Sequence, residues 1–379
     1  FVGSAAGAGA SSAPYASGEN NVAVGYQAFD AFTTGHYNTV VGKSAGTSVT
    51  TGFANVYLGY QAGYYGTTGR GNVAVGSNSQ QGVSTQTTGT YNVSLGENAL
   101  MGLTTGNHNF AVGGNAGLSL TTGEHNVIIG SAAGDALTTT SNAIMIGRDA
   151  GTNINSSDAY GSVLIGTYAG RALTDGERNI MIGYLAGKEI TTKNKNTIIG
   201  FEAVYSSSAN DDMVVVGHQA GYNLKGDSEN GGVLIGSEAG YNLTDDVSAT
   251  GTPNVFIGYQ AGYNFTTANA SMAIGYKALW GEYVGANGNS HSNTYGGHLA
   301  IGSHAGYAGG GTVGYGVNTY IGHFAGAGHV GGRSVHVGYG AGQYVASGSQ
   351  DVFIGYLAGQ VAHLSGDPSG SHSNNGRGG

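Results

Sequence analysis

The sequence has no cysteine, so no disulfide framework holds this chain together. Its 379 residues include only 3 prolines and 1 tryptophan, and only 9% are charged. The 12 basic residues are scattered singly among 21 acidic ones, a net charge of −9 that leaves no footprint for a phosphate backbone. Nucleic acid is therefore not an expected partner. No apolar run is long enough to span a bilayer, so this segment is not expected to insert in a membrane. What is abundant is glycine, 74 residues, together with 25 tyrosines and many valines and isoleucines. The glycine follows no three-residue period, which excludes collagen, and the β-branched content argues against disorder.

The glycines mark a tandem repeat. Its unit reads Asn-Val-x-Ile-Gly-x-x-Ala-Gly, clearest from Asn254 to Gly262. The central Gly recurs in twenty copies from Gly3 to Gly355, and eleven of the nineteen spacings are 17 residues. Longer spacings, up to 27, place their extra residues between motifs, at about 80–91, 241–253 and 279–297. A constant motif with variable loops is the mark of stacked coils. The expected fold is all-β, a parallel β-roll or β-solenoid of about twenty coils over residues 1–359. A flexible Gly/Ser/His-rich tail or linker follows over 360–379.

Each repeat position has a physical reading. The residue before the central Gly is Val, Ile or Leu in all twenty copies, and the residue three before it is mostly Val. These two share a strand face, read here as the coil interior. Ala follows the Gly by three residues in nineteen copies, as a narrow core requires. Asn opens the motif in eleven copies, and one per coil would stack as an amide ladder at a turn. Thr-Thr-Gly precedes several early motifs and fades after Thr138, which assigns it to the turn.

The column between the two core positions runs through Ala23, Val40, Tyr57, Ile128, Met181, Phe256, Tyr320 and His336, and is apolar or aromatic in eighteen of twenty copies. On this reading it faces outward. Stacked at about 4.8 Å per coil, it would expose roughly 900 Å² of continuous apolar surface, more than a monomer usually leaves bare. Identical parallel chains would cover it. A wider monomeric solenoid with a second internal layer is the alternative.

These residues resemble the head repeat of trimeric autotransporter adhesins, whose unit reads Asn-Ser-Val-Ala-Ile-Gly. Asn21 to Gly25 and Ser271 to Gly275 carry the likeness, which extends from Phe1 to about Gly359. Similar arrays occur in phage tail fibres and long bacterial surface proteins. The usual period here is longer than that family's, and Ala-Gly closes the unit. The resemblance implies a left-handed β-roll, a side-by-side homotrimer and an extracellular fibre that acts as spacer and adhesive surface. A host-surface or glycan receptor is the further partner it implies. A tail-fibre shaft or receptor-binding segment and a self-assembling filament are alternatives within that class.

No catalytic signature is present: no zinc-type His-Glu pairing, no nucleophile elbow and no phosphate loop. The chain is read as a non-enzyme without cofactor. A monomeric solenoid that binds ice or cleaves polysaccharide stands as the contrasting class. Candidate contact residues are Tyr222, Tyr241 and Tyr263, one column on consecutive coils, which would either stack on sugar rings or stabilise the array. The longest insertion adds Trp280, Tyr283, His291 and Tyr295, since loops on rigid scaffolds concentrate recognition residues. His336, in the outward column, would bring three imidazoles together near a trimer axis, around a metal, an anion or water.

Overall fold

The computed structural model describes residues 1–9, 16–83, 87–206, 211–224, 231–243, 253–265, 270–281, 297–307, 317–329, 331–345 and 349–360. The insertions at 80–91, 241–253 and 279–297 are described in part, and the tail from residue 361 lies outside these limits. The chain divides into two compact units, Phe1–Lys195 and Asn196–Gly379. Both are parallel β-solenoids. The first holds ten three-residue strands, from Val22–Val24 to Ile180–Ile182, and the second holds nine, from Thr197–Ile199 to Val352–Ile354.

Within each unit every strand pairs in parallel with the next repeat's strand, motif on motif. Val56, Tyr57 and Leu58 pair with Val73, Ala74 and Val75. The 27-residue spacing leaves this register intact, since Met272 and Ala273 pair with Leu299 and Ala300. The first repeat takes part through a single parallel bridge between Val2 and Val24. Bonding continues around the rest of each coil: the Gly63 N–H donates to the Ser79 carbonyl at 3.0 Å and the Thr67 N–H to the Thr87 carbonyl at 2.9 Å. Length therefore varies only where a coil can bulge without breaking its ladder.

The central Gly has a steric reason. It takes φ near +130 to +147, and a Cβ on Gly113 would come within 2.6 Å of the carbonyl oxygen of Gly130 in the next coil. No other residue fits there.

The strand faces are the reverse of the sequence-based reading. The middle strand residue is the interior one: Ala23, Val40, Ile128, Met145, Leu234 and Phe256 are fully buried. The flanking positions, Val22 and Val24 through Val352 and Ile354, are half-buried or exposed and form the outer face. A two-residue period couples the outer pair to one face but says nothing about which face that is. The remainder of the coil decides it. The middle column packs on the Ala three residues after the Gly and on a column seven residues after it, with Phe32, Val49, Leu103, Leu120, Ile154, Leu173, Leu224 and Phe265 buried there.

The interior is filled by size compensation across the coil. Where the middle residue is large, the residue four after the Gly is Gly, as in Tyr57 with Gly63, where a Cβ would lie 2.6 Å from the ring. Where it is small, a large side chain takes that place at Ala23 with Phe29, Ser94 with Leu100 and Ala273 with Leu279, all buried. Beside Ala111 and Ala300 that residue is Gly117 or Gly306, and side chains of neighbouring coils, Leu100 and Ile128 or Leu279 and Tyr320, fill the space. Dense packing thus survives a column that ranges from Ala to Tyr.

The Asn ladder forms as expected. The Asn21, Asn38 and Asn55 side-chain oxygens accept from the next repeat's Asn N–H at 2.9, 3.0 and 2.9 Å. The pattern runs on to Asn126, whose oxygen accepts from the Ala143 N–H at 3.0 Å. Each amide nitrogen also donates to a turn carbonyl, for example Asn55 to Gly69 and Asn109 to Gly123, at 2.9 and 2.8 Å. The turn Thr hydroxyls behave likewise, with Thr104 donating to the Thr121 carbonyl at 3.0 Å and Thr121 to the Thr138 carbonyl at 2.9 Å.

Candidate functional surfaces

Two surface features repeat once per coil. The first is the outer strand face. Its two columns, mainly Val and Ile, leave Val41, Ile180, Val214, Ile235, Ile301 and Ile321 exposed despite neighbours on either side. One residue beyond the central Gly, Tyr26, Tyr60, Tyr184, Tyr259, Tyr276, Tyr339 and Tyr356 border the same face and are exposed. Tyr259 stacks on Tyr276 and Tyr339 on Tyr356, both at 5.3 Å between centroids. The apolar stripe expected from the sequence is present, but the flanking columns build it.

The second feature is an aromatic ladder in the second unit. Tyr222, Tyr241 and Tyr263 stack at 5.0 and 4.9 Å. Tyr205 extends the row at 5.0 Å, and Trp280 and Tyr307 follow at 6.2 and 5.1 Å. Beside it the Asn223 amide donates to Asn242, and Asn242 to Asn264, each at 2.8 Å. In the column three residues before the rungs, Gln219 donates to Glu202 at 2.7 Å and Gln260 to Glu238 at 2.6 Å. Burial, then Tyr263 and the carboxylates of Glu238 and Glu202, push the Tyr241 hydroxyl above its usual range. Burial and Glu238 do the same at Tyr263.

Trp280 is half-buried as a rung of this ladder, with Lys277 Nζ 5.5 Å from its ring centroid. Tyr283, His291 and Tyr295 lie outside the described residues. The Tyr-Asn column marks three rungs and leaves out Tyr205, Tyr307 and Trp280, the last read as an insertion residue, although all six stand five residues after a central Gly on consecutive repeats. Counting from the Gly would have found them.

His336 is corrected with its column: it is fully buried inside the coil, away from the outer face. Its ring lies 5.5, 4.6 and 5.1 Å from those of Tyr320, His329 and Phe353. Burial, reinforced by His329, pulls its pKa down to about 3. His298 and His329 are also buried, and burial with His329 nearby lowers His298 to about 4. The Tyr320 hydroxyl and His329 Nδ1 share a hydrogen bond of 2.8 Å. Among the described residues no group of three His, Cys, Asp or Glu is placed to hold a metal ion. No helix among them is long and apolar enough to cross a membrane.

Comparison with family models, with curated proteins and with solved structures finds no match to this chain.

Proposed function

We propose that this chain is a segment of an extracellular fibre, assembled from identical parallel chains through the outer strand face, that serves as a rigid spacer and adhesive surface. The observation that carries the reading is the outer face itself. Ten strands stacked at about 4.8 Å, with two side-chain columns about 10 Å across, give on the order of 500 Å² of apolar surface in the first unit alone. That is at the upper end of what soluble monomers leave exposed. The surface repeats in register from coil to coil and is bordered by tyrosines, a composition suited to a protein interface. A second copy of the chain carries the same columns at the same spacing, so it can match them coil for coil.

Three chains side by side are the assembly that the adhesin-like repeat suggests. Native mass spectrometry or light scattering at micromolar concentration tests this, with a stable mass of three chains expected. A clean monomer would overturn self-association. Ile129→Glu with Ile146→Glu, both on the outer face, should dissociate the assembly while leaving the far-ultraviolet circular dichroism of the coils intact.

A further inference from the structure

The six-rung ladder is confined to one stretch of the array. Five residues after the central Gly the first unit carries Asp30, Thr47, Tyr64, Gln81, Met101, Leu118, Asp135, Thr152, Arg171 and Lys188, a column with no pattern. The second unit then carries Tyr205, Tyr222, Tyr241, Tyr263, Trp280 and Tyr307 without interruption. Coils of the first kind stack just as well, so solenoid stability does not demand the ladder. The spacings that follow Gly217, Gly236, Gly275 and Gly302 are 19, 22, 27 and 20 residues, so four ladder-bearing repeats also carry insertions.

The geometry restricts what the ladder can do. Tyr222 and Tyr241 each have neighbours stacked on both ring faces, at 5.0, 5.0 and 4.9 Å, with interplanar angles of 3 to 13°. A sugar ring cannot lie flat on either. Ligand contact would come from ring edges and hydroxyls, in register with the amide row of Asn223, Asn242 and Asn264 and the mixed row of Glu202, Gln219, Glu238 and Gln260. Together these rows repeat hydrogen-bond donors and acceptors once per coil. The period is about the advance of one hexose in an extended β-1,4-linked chain. Glutamates in one row, on a chain of net charge −9, disfavour an anionic polymer.

We infer that the rows flanking and including Tyr205, Tyr222, Tyr241 and Tyr263 form a docking track for a neutral, unbranched polysaccharide lying along the coil axis, one sugar per coil. This deepens the adhesive half of the fibre reading and rests on that half alone. Binding is hydrogen-bonded and additive along the track, so affinity grows with chain length.

Isothermal titration of the full chain with cello- and chito-oligosaccharides of three to six units tests the track, with heparin as the anionic control. In one of the two neutral series affinity should rise several-fold from three to four units and level off beyond four, and heparin should not bind. The triple variant Y222F/Y241F/Y263F keeps the ring stack and removes the hydroxyls. It should lose about tenfold or more in affinity with an unchanged melting temperature. Absence of binding by both hexasaccharides at millimolar concentration, or equal binding by the triple variant, would overturn the inference. Light scattering on the same preparation separates this from the fibre reading: a three-chain mass without glycan binding sinks the track alone, and a glycan-binding monomer sinks the assembly alone.

Discussion

The two units build the same coil from different material. In Phe1–Lys195 most spacings are 17 residues, and the amide ladder is continuous from Asn21 to Asn126. In Asn196–Gly379 the spacings run from 16 to 27, and Met213, Gly232, Ser271, His298, Ser334 and Asp351 stand where the ladder needs Asn. The backbone is indifferent to this. The Val56 N–H donates to the Asn72 carbonyl at 2.8 Å, and the Thr197 and Met272 N–H groups donate to the Met213 and His298 carbonyls at 2.8 and 2.7 Å. The parallel ladder of main-chain bonds is thus common to both units, and the amide ladder reinforces one of them. The second unit has accepted histidines in its interior and a six-rung aromatic ladder on its surface.

Substitution at the central Gly should erase the contrast. Gly113→Ala in the first unit and Gly258→Ala in the second, at φ +132 and +134, each force a Cβ against the next coil's backbone. Each is expected to cost about 3 kcal/mol or more, read by denaturant melts with hydrogen exchange resolved by unit. A loss in one unit alone would show that the coils differ in backbone and not only in side chains.

Acid should separate the units most clearly. None of the first unit's histidines is buried, whereas His298 and His336 have folded-state pKa values lowered to about 4 and about 3. Because the folded values lie below the ordinary value of 6.5, the unfolded state binds more protons between them. Stability is therefore intact above about pH 6.5 and falls as pH drops toward 4, by on the order of 5 kcal/mol for the two groups together. Hydrogen exchange at pH 7 and pH 4.5 should show the coils around Tyr320 loosening first. His336→Phe, a size already accommodated by that column at Phe256, should flatten the pH dependence.

The amide ladder should give a smaller difference. Asn92 accepts from the Asn109 N–H and donates to the Gly106 carbonyl, so Asn92→Ala strands two buried partners in the next coil at about 2 kcal/mol. Thr104→Val, which removes one partly buried hydroxyl bond to Thr121, should cost under about 1 kcal/mol. If Asn92→Ala costs no more than Thr104→Val, the ladder is decoration on the main-chain bonds and the contrast between units loses its meaning.

Much of this was readable beforehand. The motif's length and its tolerance of insertions located every strand, and the regular Asn spacing implied its ladder. Faces were harder. Val56 and Leu58 share a parity, but only the neighbours of Tyr57 reveal which side is inside, and those neighbours are Gly63 and Gly66. The signal was present as anticorrelated sizes: Tyr57 with Gly63, Ala23 with Phe29. Sequence reasoning that treats each column separately cannot detect a compensation between two of them. The place of His336 turns on the same compensation, and the spacing of His298 and His329 does not show that they are buried near it, because each occupies a different column of its own repeat.

Period, strand position, turn glycines and the all-β character follow from the sequence alone, because each depends on residues a few places apart and on sterics that any chain obeys. Which strand face is dry depended on the tertiary structure. So did the burial of three histidines and the closing of six aromatic side chains into one ladder. These outcomes depend on the packing of residues brought together around the coil and between successive coils, and burial is a property of that packing rather than of any residue in it.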